Sequence, residues 1–255
     1  MGDPTPQGGL PDADLSQDDA VAFFTRASAP QVFGHGWWAV ADREDNPADC
    51  PVREALPDKQ IWTGGCTDAQ GTVWEGTLTS WDAGGLEYVG FGWTRTSECE
   101  ESWVFDGLVS VYGPTEEVGF DVALEVNGFG CFDGLEVEGP AVIEYTGTYG
   151  RVGDVQTWNG QGWVGVGSLG RVWAETEDEV IDPDICLWEA ASGTTRLESG
   201  DAEVVFTYDG ADRCQESPAI SWSRDGEDMG EMAAACSTGR GGAFAALLAA
   251  LLVRR

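Results

Sequence analysis

The side chains in this sequence that could do chemistry are carboxylates, tryptophans and cysteines. His35, in Gly34-His35-Gly36-Trp37-Trp38, is the only histidine, and Lys59 is the only lysine. Imidazole-based metal centres need partner histidines, Ser-His-Asp hydrolases need a nucleophile elbow, and Schiff-base or P-loop chemistry needs lysine. His35 therefore reads as packed against its two tryptophans rather than catalytic, and no cofactor is expected. With 45 acidic residues, two carboxylates at any given spacing carry no information. Glu75, Glu87 and Glu144 lie in strand-like segments beside Trp74, Tyr88 and Tyr145. They are the candidates for the acid pair of a glycan hydrolase, which needs two carboxyl groups about 5–10 Å apart.

Two acidic loops offer oxygens to calcium, which takes several ligands from converging segments. One holds Asp42, Asp45 and Asp49, the other Glu175, Glu177, Asp178, Asp182 and Asp184. Neither has EF-hand spacing, so solvated acidic loops are the favoured reading and weak Ca2+ binding the alternative. Trp74, Trp81, Trp158 and Trp163 could form a stacking face for carbohydrate; the competing expectation is that they fill the core.

The cysteines are Cys50, Cys66, Cys99, Cys131, Cys186, Cys214 and Cys236. No C-x-x-C pair and no histidine cluster accompanies them, which argues against zinc. Six spread through a Gly- and Trp-rich chain predict disulfides in an oxidising compartment. Nearest-neighbour pairing gives Cys50–Cys66, Cys99–Cys131 and Cys186–Cys214, with the first the best supported because it spans a Pro-rich loop.

The formal net charge of -32 repels phosphate backbones and anionic lipid. Nucleic acid is excluded as a partner, and any membrane contact runs through the C-terminal tail only.

That tail, Gly241 to Val253, is an apolar run of about 13 residues closed by Arg254 and Arg255. As a helix it covers only about 20 Å, short of the roughly 20 residues of a stable span. Cys236, Ser237, Thr238 and Gly239, the apolar run and the closing arginine pair resemble a C-terminal sorting tag of the MYXO-CTERM kind. Gly241 and Gly242 resemble the GlyGly-CTERM kind. The resemblance covers only about the last 20 residues. It implies an exported chain held briefly in the inner membrane, cut near Cys236 by a sorting protease and delivered to the cell surface, with Cys236 available for attachment. Residues 1–30 carry no basic start and no apolar core of a leader, so export predicts a signal peptide upstream of Met1.

The elements that must position these groups are strands. Val118, Phe120, Val122, Leu124 and Val126 alternate with polar or small residues, as do Val89, Phe91 and Trp93, and Val204, Phe206 and Tyr208. A two-residue period buries one face of a strand. Phe105-Asp106-Gly107-Leu108 recurs as Phe132-Asp133-Gly134-Leu135. Asp-Gly between alternating runs predicts hairpin turns, with a bulge inside a longer strand as the alternative.

The expected organisation is a disordered acidic segment over 1–15, a short helix over 16–30 capped by Ser16, a β domain over 31–230 and a tail over 231–255. The fold class is all-β, with antiparallel sheets forming a sandwich, a barrel or a large twisted meander, plus the N-terminal helix and a C-terminal hydrophobic helix. The expected function is a non-enzymatic cell-surface protein serving adhesion, envelope structure or binding. A surface glycan hydrolase and a Trp-based carbohydrate-binding module are the alternatives.

Overall fold

The computed structural model describes residues 10–16, 20, 39–40, 50–96, 100–113, 117–132, 135–138, 141–185, 190–209 and 220–232; for 129–138 only the backbone is described. Among the described residues fifteen strands follow one another: β1 (Val52–Ala55), β2 (Lys59–Thr63), β3 (Cys66–Thr67), β4 (Val73–Trp81), β5 (Gly85–Thr96), β6 (Glu100–Tyr112), β7 (Glu117–Phe132), β8 (Leu135–Glu138), β9 (Ala141–Val152), β10 (Val155–Val166), β11 (Arg171–Ile181), β12 (Ser192–Ser199), β13 (Ala202–Asp209), β14 (Ile220–Arg224) and β15 (Glu227–Met232). They form one antiparallel sheet in which chain neighbours are sheet neighbours. The short strands β3 and β8 pair on β4 and β7, outside that path. β1 and β15 are its two edges and do not pair with each other. Of the three expected all-β architectures, the open meander is the one found.

Each long strand has one apolar face. On β7, Val118, Phe120, Val122, Leu124 and Val126 are all buried, while Asp121 and Ala123 between them are exposed. The same rule puts Trp103, Phe105, Val109 and Val111 of β6 and Ile143, Tyr145 and Tyr149 of β9 on the inner side. The buried side chains make one contiguous cluster, from Trp62 on β2 to Trp222 on β14. Ala13, Leu15, Ala20 and Val40 of the N-terminal segment belong to the same cluster. Aromatic contacts run along the interior: Trp74 meets Trp93 at 5.4 Å, Trp93 stacks on Phe105 at 5.6 Å, and Tyr149 stacks on Trp158 at 4.8 Å.

Residues 10–16 lie against this sheet rather than forming a free segment. Ala13 donates to the Arg171 carbonyl, Arg171 donates to the Pro11 carbonyl, and Leu15 is buried in the core. The helix expected over 16–30 lies outside the described residues except at Ser16 and Ala20, whose amide bonds the Ser16 carbonyl at 2.8 Å. Among the described residues the one complete helical element is a 3-10 turn at Gly167–Leu169, Ala20, Ala39 and Val40 are also helical, and no helix is long and apolar enough to cross a membrane. The segment expected to form a C-terminal hydrophobic helix lies outside the described residues.

The repeat splits into two structures. Phe132 pairs with Leu135 where β7 meets β8, and Asp133 and Gly134 lie outside the described residues. Phe105-Asp106-Gly107-Leu108 instead runs through the middle of β6, so no turn forms there. Val89 also departs from its expected face. A bulge between Tyr88 and Phe91 reverses the alternation, leaving Val89 outward and Phe91 and Trp93 inside.

Cys50 and Cys66 form a disulfide with Cα atoms 5.9 Å apart, tying the start of β1 to β3. Cys99, Cys186 and Cys214 lie outside the described residues, as does the side chain of Cys131, so the other two expected pairings are not observed. Replacing Cys50 and Cys66 together with alanine should lower unfolding free energy by about 3 kcal/mol, the chain-entropy value for a loop of roughly 15 residues. Urea titration of the oxidised parent and the variant measures it.

Candidate functional site

The outer side of the sheet carries a shallow groove, made of two adjoining depressions, across β5, β6, β7, β9, β10 and β11. Two depressions of about 290 and 480 Å3 share Leu108, Ala123 and Glu144 in their walls. Strand register builds the floor. One outward row runs Glu87, Leu108, Ala123, Glu144, Trp163, Trp173 and Glu198, each directly opposite the next on the adjoining strand. The row beside it includes Ser110, Asp121, Thr146, Gln161 and Glu175. Asp106 and Glu125 face each other on the other side.

Local backbone chemistry sets the side chains. Gly107 lies in the groove floor at φ +138, and a Cβ there would meet the Ala123 carbonyl at 2.1 Å, so close strand approach requires glycine. The bulge beside Gly90 releases an amide from the ladder, and Asp106 accepts it at 2.6 Å. Glu125 accepts from Asn127 at 2.8 Å. At the far wall, Trp163 and Trp173 meet edge to face at 5.5 Å. The Arg171 guanidinium lies 4.6 Å over the Trp163 ring and is held by Asp12 at 3.0 Å.

The electrostatics of the two ends differ. Towards β12 and β13, Arg196 serves Glu198, Glu175 and Glu203 at 3.5, 3.7 and 3.8 Å. In the groove, Glu87, Asp106, Asp121, Glu125 and Glu144 have no ion pair among the described residues. Like charges directly opposite on neighbouring strands destabilise by roughly 0.2–1 kcal/mol, and Asp106 faces Glu125 with no cation between them.

The sequence candidates are dispersed by this geometry. Trp74 and Trp158 fill the core at 2% exposure each. Trp81 and Trp163 are half-buried at distant places in the sheet, so the four do not make a stacking face. Of the three glutamates, Glu87 and Glu144 both line the groove; Glu75 lies on β4, outside it. Glu87 and Glu144 are three strand spacings apart, roughly 14 Å along the sheet, too far for an acid pair. Among the described residues, no group of three or more His, Cys, Asp or Glu is arranged to hold a metal. Glu175 is paired with Arg196, the Asp178 amide bonds Asn159, and Asp182 accepts from the Asp184 amide within its turn. His35, Asp42, Asp45, Asp49, Cys236, Arg254 and Arg255 lie outside the described residues. Asp106, Asp121, Glu125 and Trp173 were not singled out by the sequence; their only signal is an outward phase within an alternating strand.

Inside the sheet two buried carboxylates contrast. Glu101 accepts from Trp93 at 2.7 Å and pairs with Arg95 at 2.6 Å. Glu179 has no such cation; Tyr145 and Tyr208 lie near it, and Tyr208 shares a 3.1 Å hydrogen bond with Thr195. Burial pushes the Glu179 carboxyl up to about 7 from its usual 4.5, and burial likewise holds both phenols above their ordinary range.

Comparison with protein-family models, curated proteins and solved structures found no match.

Because the folded state holds the Glu179 proton more tightly than the unfolded chain, the linked stability is present in full below about pH 4.5 and is lost as pH rises through about 7. The contribution is on the order of 3 kcal/mol. Glu179→Gln should flatten this part of the stability profile between those limits, measured by urea titration at stepped pH against the parent. Separately, Glu125→Gln should stabilise the fold by a few tenths of a kcal/mol at low salt, an effect that added salt removes.

Proposed function

We propose that this chain is an exported, non-enzymatic binding protein of the cell surface, and that its ligand lies in the outer groove. The observation that carries the reading is the groove itself. It crosses six strands of one continuous sheet, and carboxylates, an amide and two half-buried tryptophans converge on it without neutralising one another. Binding sites are concave, with a few directed polar groups on rigid elements. The Cys50–Cys66 bond supports an oxidising compartment, and the resemblance of the tail supports passage through a membrane sorting protease to the surface.

Binding is favoured over glycan hydrolysis by the placement of the acids. Asp121 and Glu144 are diagonal neighbours, roughly 7–8 Å apart at Cα, but both stand on the groove floor. A glycosidase pair flanks the scissile bond from two sides.

Titrating the isotope-labelled full chain with neutral oligosaccharides and short charged peptides tests the site by NMR. Saturable shifts should concentrate on Leu108, Ala123, Glu144, Gln161 and the Trp163 indole. Shifts confined to another face, or none with any probe, would reject the groove. Release of reducing sugar that Glu144→Gln abolishes would replace binding with hydrolysis.

A further inference from the structure

The last residues of β11 are out of phase with the strand that leads into them. Val172, Ala174 and Thr176 are buried, and strict alternation would bring Asp178 and Val180 inside next. Instead Asp178 is exposed, and Glu179 and Ile181 are buried. The phase changes because both ladders beside the strand break at the same level. Pairing with β10 shifts between Trp158 and Gly160, and pairing with β12 shifts between Glu177 and Val180. The two irregular residues hold each other: the Asp178 amide donates to the Asn159 side chain at 2.8 Å. Asp178 stands at φ 49. Gly193 of β12 comes so close that a Cβ there would meet the Asp178 carbonyl at 2.4 Å.

Beyond this level the strand end is held by few bonds. Glu179, Val180 and Ile181 pair with Trp158, Thr157 and Gln156 on β10. On the β12 side Val180 pairs with Ser192, and the Ala191 amide donates to the Val180 carbonyl at 2.7 Å. A bulge bends its strand and interrupts the ladder, so two at one level make a hinge.

The side chain that the hinge turns inward is a carboxyl. Glu179 is 4% exposed. Trp158 of β10 stands directly opposite it, and the phenols of Tyr145 on β9 and Tyr208 on β13 lie within its electrostatic reach. β12 contributes Thr195, whose hydroxyl shares a hydrogen bond with Tyr208. On its own strand Glu175 adds negative charge near Tyr145, and Glu177 and Asp178 are exposed. No cation faces Glu179 among the described residues. A protonated carboxyl is tolerated in such a setting, whereas an ionised and unpaired one is costly. Burial raises the Glu179 carboxyl to about 7, so ionisation builds as pH rises through that value. Carrying the charge to water exposes Ile181 as the opposing cost.

We propose that Asp178–Ile181 is a pH-sensitive switch hinged at the paired bulges. With Glu179 protonated the strand end lies packed in the sheet. With Glu179 ionised it swings away from β10 and β12 and takes the carboxylate to solvent, while the rest of the sheet keeps its register.

Cross-strand NMR contacts in the isotope-labelled full chain at pH 5 and pH 8.5 test this. At pH 5 the Trp158–Glu179 and Val180–Ser192 contacts should be present. At pH 8.5 both should be lost, while the Val122–Tyr145 contact persists. Glu179→Gln should keep all three at both pH values, and so should Glu179→Met, which removes the titrating group without adding an amide. Glu177→Gln, an exposed acid at the same bulge, should respond to pH as the parent does. Contacts retained at pH 8.5 in the parent would overturn the switch. So would their loss in both Glu179 variants, which would put the response on another group. Loss of Val122–Tyr145 together with the other two would mean unfolding of the whole sheet and would overturn the hinge.

Discussion

The structure depends on burying one face of a single sheet, against which Ala13, Leu15, Ala20 and Val40 also pack. The long strands contribute aromatic and branched side chains at alternate positions to one buried cluster. A fully buried large apolar side chain contributes about 1.5–3 kcal/mol, and Trp62, Trp74, Trp103, Phe105, Phe120, Trp158 and Phe206 are all nearly inaccessible. A slip of one residue in any pairing would turn such a set to solvent. The inner face therefore fixes the register, and the register leaves no freedom about what the outer face displays.

The outer groove follows from that constraint. Glu144 is outward because Ile143 and Tyr145 are inward, and it faces Ala123 because Val122 and Leu124 are buried on the adjoining strand. The acidic floor is tolerated because inner-face burial outweighs a few tenths of a kcal/mol per opposed pair. Towards β13 the sheet solves the same problem differently, by placing Arg196 among three glutamates. The contrast separates a surface whose acids share an arginine from one whose acids have no ion pair among the described residues. Glu179 lies on the inner face without a cation among the described residues, and burial raises its carboxyl pKa.

Strand existence was legible in the sequence because period two is a local signal. The run from Val118 to Val126 and the pair Val204 and Phe206 are buried as their alternation implies. Bulges were not legible: Gly90 breaks the phase beside Val89 because a glycine at φ +54 admits an extra residue, and nothing in the flanking pattern marks it. Asp133 and Gly134 lie outside the described residues, between the paired Phe132 and Leu135; within β6 the Asp-Gly pair makes no turn, and Gly107 serves close strand approach. The groove was least legible. Glu144 and Trp163 become neighbours through pairing of separate strands, and the Asp106–Glu125 opposition spans β6 and β7. Such rows are products of register, which the whole inner face decides jointly. Of the cysteines, Cys50–Cys66 was legible because it closes a short loop onto a strand.

The most direct test of this account is the register itself, read by cross-strand NMR contacts in the isotope-labelled full chain. Backbone contacts should link Leu108 with Ala123, Ala123 with Glu144, Glu144 with Trp163 and Trp163 with Trp173. Contacts displaced by one residue, such as Ala123 with Tyr145, would turn Glu144 inward, dissolve the groove and contradict the claim that inner-face burial assembles the outer site.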